Sequence, residues 1–264
     1  MKKPLTILCL VLLSSYSYSK EISNEQLVER QGLKYEINST IPFTGSVTHS
    51  RFFGWTSKRI NYKDGKLDGV WEDYYDDIPE EVLQQRSNWR NGVRHGATET
   101  YTLNILTNTG VLTERKNYKN GKLNGLYETY SFEECGISSS QICSDSNSSL
   151  LKEKRNYKDG KEEGLYEYFH ENGQLQVRGN YKDGKQEGVW EIFYENGQLE
   201  QRENYKDGKE EGLYEYFHEN GQLQVRGNLK DGKQEGVWEI FHENGELLRT
   251  ETYKEGVLKS RFEQ

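Results

Sequence analysis

From Val189 to Tyr205 the side chains alternate with a period of two. Trp190, Ile192 and Tyr194 fall on one side, with Val189, Glu191 and Phe193 on the other. Beyond Asn196-Gly197 the alternation resumes, with Leu199, Gln201, Glu203 and Tyr205 opposite Glu200, Arg202 and Asn204. Successive residues of a strand point to opposite faces of its sheet, so the pattern predicts two strands joined by a tight turn. Asp183-Gly184 opens the unit. Both dipeptides predict type I′ hairpin turns, because Asp, Asn and Gly accept positive φ at low cost. Strand, DG turn, strand, NG turn is an all-β antiparallel meander.

The unit then repeats. Tyr157 to Asn180 recurs letter for letter at Tyr205 to Asn228, and variants occupy Tyr181 to Asn204 and Leu229 to Thr252. Gly160, Gly184, Gly208, Gly232 and Gly256 are spaced 24 residues apart. A fixed period in this range marks a stacked repeat whose units contact mainly their neighbours. Degenerate units are legible at Asn61 to Tyr75, Asn88 to Leu103 and Asn117 to Tyr130. Nearer the start, the alternation of Leu33, Tyr35 and Ile37 predicts a first strand, and a turn at Pro42 to Gly45 leads into a second over about Ser46 to Phe53. The predicted organisation is a leader over 1–19, an N-terminal cap over 20–59, degenerate repeats over 60–130, a Ser-rich loop over 131–152, and regular repeats with a C-terminal cap over 153–264.

Gly164, Gly188, Gly212 and Gly236 stand just inside the strand after each DG turn. Glycine weakens a strand interior unless something approaches the backbone closely. These four are predicted to seat an aromatic ring from the next strand, such as Tyr157 or Tyr205.

Composition makes the fold thin. Hydrophobic residues are 33% and mean hydropathy is −1.00, yet aromatics reach 12%. Disordered chains are poor in aromatic rings, so large rings covering the backbone of a sheet reconcile the values. Lys2, Lys3, the apolar run Leu5 to Leu13 and Ser17-Tyr18-Ser19 read as an export leader. Export, to a bacterial periplasm or the extracellular space, places Cys135 and Cys143 in an oxidising compartment, where a small disulfide-closed loop is expected. Without Lys2 and Lys3, 35 basic residues become 33 against 43 acidic, a formal charge of −10. Such a surface repels nucleic acid and anionic lipid.

No catalytic constellation emerges, and no cofactor or metal is expected. His170, His218 and His242 share one column of the repeat, but Tyr194 takes that column in the intervening unit, as a surface ring would. Glu171, Glu195, Glu219 and Glu243 read as solvated charges, and Asp159, Asp183, Asp207 and Asp231 as turn residues. The stronger candidate is aromatic. Tyr166, Trp190, Tyr214 and Trp238 recur every 24 residues. They read first as the core of a single-layer sheet, and wherever that face is open, as a partner-binding surface.

The motif G-x-x-x-G-[VL]-[WY]-E-x-[FY]-x-E-N-G-Q-L after Y-K-D resembles the MORN-repeat variant of bacterial exported repeat proteins, which also defines the YwqK-family antitoxins. The resemblance covers roughly Ile60 to Val257. It implies β-hairpin units in an extended sheet that binds proteins or membranes, and for the YwqK-type members an immunity role toward a toxin. The leader departs from those antitoxins, so an immunity role here implies a toxin acting in the envelope. The expectation is an exported, non-enzymatic β-repeat scaffold for a protein partner. The alternative is a structural repeat protein associated with a membrane or cell surface.

Overall fold

The computed structural model describes residues 20–51, 54–78, 80–132 and 149–264. In chain order the strands are β1 (Glu21–Ser23), β2 (Leu27–Arg30), β3 (Leu33–Glu36), β4 (Gly45–Ser50), β5 (Thr56–Lys63), β6 (Lys66–Tyr74), β7 (Leu83–Arg90), β8 (Val93–Asn104), β9 (Thr109–Lys119) and β10 (Lys122–Ser131). They continue as β11 (Leu150–Lys158), β12 (Lys161–Phe169), β13 (Leu175–Lys182), β14 (Lys185–Phe193), β15 (Leu199–Lys206), β16 (Lys209–Phe217), β17 (Leu223–Lys230), β18 (Lys233–Phe241), β19 (Leu247–Lys254) and β20 (Val257–Glu263). Among the described residues there is no α-helix.

One eighteen-stranded sheet holds all of these but β2 and β3, which pair with each other. From β4 to β20 each strand pairs antiparallel with the next in sequence. The short β1 lies parallel to β4 and covers its outer edge. Contacts run almost wholly between successive strands, as in a single layer. The N-terminal cap supplies a compact cluster, in which buried Ile22, Phe43 and Val47 pack with Leu27 and Tyr62.

The two turns of the unit differ. Asp183 has φ 52° and Gly184 φ 82°, the type I′ geometry expected at Asp-Gly. At Asn196-Gly197 only the glycine has positive φ, at 81°. Gly197 N–H donates to the Tyr194 carbonyl and Tyr194 N–H to that of Gln198, each at 2.9 Å. This is a three-residue loop, a type I turn closed by a left-handed glycine, so the type I′ expectation fails here. The Asn196 carboxamide oxygen accepts the Gln198 N–H at 2.9 Å, a local bond typical of asparagine in turns.

The glycines also divide the work differently from the expectation. Gly188 has φ 75°, and a Cβ there would meet nothing within 4 Å. Gly164 and Gly212 likewise have positive φ, and the nearest atom to a Cβ would be an asparagine Cβ rather than a ring. These residues shape bulges and seat no aromatic. The ring seats are Gly179 and Gly227. A Cβ on either would lie 2.2 Å from Cδ2 of Trp190 or Trp238. Between β13 and β14, Asn180 pairs with Glu187 and Arg178 with Glu191. Gly179 alone therefore faces Gly188, Val189 and Trp190, and the indole folds down onto it.

The candidate partner-binding face

Stacked hairpin ends hold the face in register. Each DG turn leans on the hairpin before it: Gly184 N–H donates to the Glu162 carbonyl at 2.9 Å, and Asp183 N–H to the Glu163 carboxylate at 2.9 Å. The same carboxylate bond recurs from Asp207 to Glu187 and from Asp231 to Glu211. At the opposite ends, Asn172, Asn196 and Asn220 donate to the carbonyls of Glu195, Glu219 and Glu243 in the next repeat. His170 Nε2 lies 2.8 Å from the Phe193 carbonyl, the Tyr194 hydroxyl donates to that of Phe217 at 2.7 Å, and His218 Nε2 lies 3.4 Å from that of Phe241. A carbonyl only accepts, so the histidine nitrogens carry protons. Histidine and tyrosine interchange here because both bring an N–H or O–H to the next repeat. Among the described residues no group of histidine, cysteine and carboxylate side chains is arranged to hold a metal.

Tyr166, Gly179, Trp190, Glu203, Tyr214, Gly227, Trp238 and Glu251 form one line across the sheet. Over each glycine a tyrosine and a tryptophan come together. The Tyr166 and Trp190 rings lie 5.6 Å apart at 28°, and Tyr214 and Trp238 lie 5.5 Å apart at 34°. Tyr181 meets both Tyr166 and Trp190 edge-on at 5.7 and 5.2 Å, a favoured arrangement for aromatic quadrupoles. Trp190 and Trp238 are each only 5% exposed, so these two of the four predicted ring positions are core. Tyr166 and Tyr214 remain half-buried. Burial, followed by the nearby Glu153 carboxylate, raises the Tyr166 phenol above its ordinary range.

One accessible part of this face is a trough of about 630 Å³ over the C-terminal repeats. Tyr214, Tyr216, Val225 and Ile240 line it together with Glu203 and Glu210. Sequence reasoning places Tyr216 and Ile240 on this face beside the ring column and passes over Glu203 and Glu210. The available signal was the alternation of Gly179, Glu203, Gly227 and Glu251 in one column, which has a period of two repeats. Glu203 is 7% exposed and accepts the Tyr205 hydroxyl at 2.7 Å and the Gln201 amide at 3.0 Å. Burial and the bond to Glu203 push the Tyr205 phenol upward.

The opposite face carries a ladder of alternating charge. Paired registers link Arg59, Glu72, Arg86, Glu99, Arg115, Glu128 and Lys154. The line continues through Glu167, Arg178, Glu191, Arg202, Glu215, Arg226 and Glu239. Glu215, 7% exposed, meets Arg202 at 3.3 Å and Arg226 at 3.1 Å. In the degenerate units a tyrosine two residues beyond the acid adds a bond, as from Tyr74 to Glu72 and from Tyr101 to Glu99, each 3.0 Å. Burial first, then that carboxylate, pushes both phenols up to about 12.

Cys135 and Cys143, and the leader expected over residues 1–19, lie outside the described residues. A search of the curated proteins finds no match. The family model of the MORN repeat variant matches residues 162–183, 186–207, 210–231 and 234–255. Each match spans one ENG hairpin with its flanking strands, and the chain therefore carries four MORN-variant repeats in its C-terminal half.

Proposed function

We propose that the chain is an exported, non-enzymatic repeat scaffold that binds a protein partner on its aromatic face. The observation that carries this reading is the trough itself: tyrosine, isoleucine and valine side chains left half-buried beside Trp190 and Trp238, which are already spent on the core. Half-buried aromatics on a preformed surface are the material of interface anchors. The formal charge of the mature chain favours a protein partner over an anionic membrane. Neutralisation of a toxin acting in the envelope is one specific form of this role, in keeping with the resemblance to YwqK-type antitoxins.

The test is capture from the envelope fraction with three baits: the native chain, a Tyr216→Ser, Ile240→Ser double variant, and a Val189→Ser, Val237→Ser double variant on the opposite face. A partner retained by the first and third baits and lost with the second supports the reading. Loss with the third alone, or equal capture by all three, contradicts it.

A further inference from the structure

The line of residues beneath the aromatic face holds a cation at one point and lacks one at an equivalent point. Arg155 occupies the position that Gly179 and Glu203 take in later repeats. Its guanidinium lies 5.6 Å from the Tyr127 ring and 5.4 Å from that of Tyr166. It donates to Glu162 at 2.7 Å and to Glu153. A guanidinium between two rings and two carboxylates satisfies its charge and its flat faces together.

Two repeats on, a similar frame recurs without the cation, with Gln201 where Glu153 stands. Trp190 and Tyr214 pair with Glu203 as Tyr127 and Tyr166 pair with Arg155. Glu210 stands opposite Tyr205 as Glu162 stands opposite Tyr157. Glu203 is shorter than arginine, and the trough opens above it. Other acids of this face have a partner in the chain: Glu114 pairs with Lys116, Glu153 and Glu162 with Arg155, and Glu251 with Arg249 and Arg261. Among the described residues no lysine or arginine reaches Glu203 or Glu210. Glu210 is held above its ordinary carboxylate range by burial and then by the charge of Glu203.

We infer that the niche between Glu203 and Glu210 receives a guanidinium, an arginine of the partner protein laid along the trough with its plane against Tyr214. The inference rests on the partner-binding reading of this face and adds the chemistry of the anchor. Arg155 supplies the template, and the flanking rings account for arginine over a compact ammonium.

The experiment uses the mature chain and a blocked pentapeptide, acetyl-Gly-Tyr-Arg-Tyr-Gly-amide, followed by amide chemical shifts. Saturable shifts at Gln201, Glu203, Glu210 and Tyr214 are expected. The peptide with citrulline in place of arginine, equal in shape but uncharged, should bind at least about tenfold more weakly. Glu210→Gln should weaken the arginine peptide by about the same factor. Glu203→Arg sets a guanidinium beside Glu210 as Arg155 stands beside Glu162, so it should keep the native circular dichroism and lose the peptide. Equal binding of the two peptides, undiminished binding by Glu210→Gln, or no saturable shift would overturn the inference. If partner capture still depends on Tyr216 and Ile240 in that event, the scaffold reading stands and only the arginine anchor falls.

Discussion

At the scale of single residues, two kinds of glycine look alike in the sequence and do opposite jobs. Gly188 is needed for its positive φ, and nothing lies above it. Gly179 has an ordinary backbone and is needed for the space that Trp190 fills. Their substitutions should therefore dissociate. Gly179→Ala forces the indole aside and should cost about 1–3 kcal/mol, with a changed near-ultraviolet tryptophan signal. Gly188→Ala should cost about 1–2 kcal/mol from left-handed backbone strain and leave that signal intact. Gly188→Asn should recover much of the loss, because asparagine tolerates this conformation, whereas Gly179→Asn should be worse than alanine. Urea unfolding with circular dichroism checks all four, and a rescue of both sites by asparagine would refute the division. The bulge explains why the ring seats were not legible: simple alternation places Tyr157 or Tyr205 against a glycine, and three residues facing Gly179 bring Trp190 there instead.

At the scale of the hairpin, most of the architecture was legible. Asp-Gly fixed the turns as expected, because both central residues must take positive φ. The Asn-Gly loop was misjudged because the preceding Glu195 joins it, and a three-residue loop needs left-handed backbone only at its last position. The charge ladder was missed for another reason. Arg202 and Glu215 are eleven or more residues from their partners in sequence, and only the register brings them together. Exposed ion pairs contribute little, and their worth rises with burial and shared partners. Glu215→Gln, at a site where two guanidinium groups converge, should cost about 1–2 kcal/mol. Glu239→Gln, whose carboxylate is 39% exposed and meets one arginine at 3.9 Å, should cost under about 0.5 kcal/mol. Equal losses in urea unfolding, or no loss at Glu215, would show that the ladder is only a solvated surface.

At the scale of the whole molecule, the regular half of the sheet is built from pairs of hairpins. The 24-residue spacing of turn glycines sets the strands, but the aromatic face repeats every second unit, as Tyr166, Gly179 and Trp190 give way to Glu203 and then return as Tyr214, Gly227 and Trp238. The copied segment Tyr157 to Asn204 is thus one full turn of the core pattern, which is why two identical 24-residue stretches are separated by one that differs. Register carries the sheet back through the degenerate units to β4, beyond the reach of the family match. Two internal deletions test this most directly. Removing 181–228 joins Asn180 to Leu229 and sets Trp238 over Gly179, keeping the pattern whole. Removing only 181–204 sets Tyr214 over Gly179 and leaves a gap where an indole belongs. The account predicts that the larger deletion unfolds in urea at a midpoint no lower than the smaller one, with a native tryptophan signal. A smaller deletion that is the more stable of the two, with that signal unchanged, would contradict it and make the single hairpin the interchangeable unit.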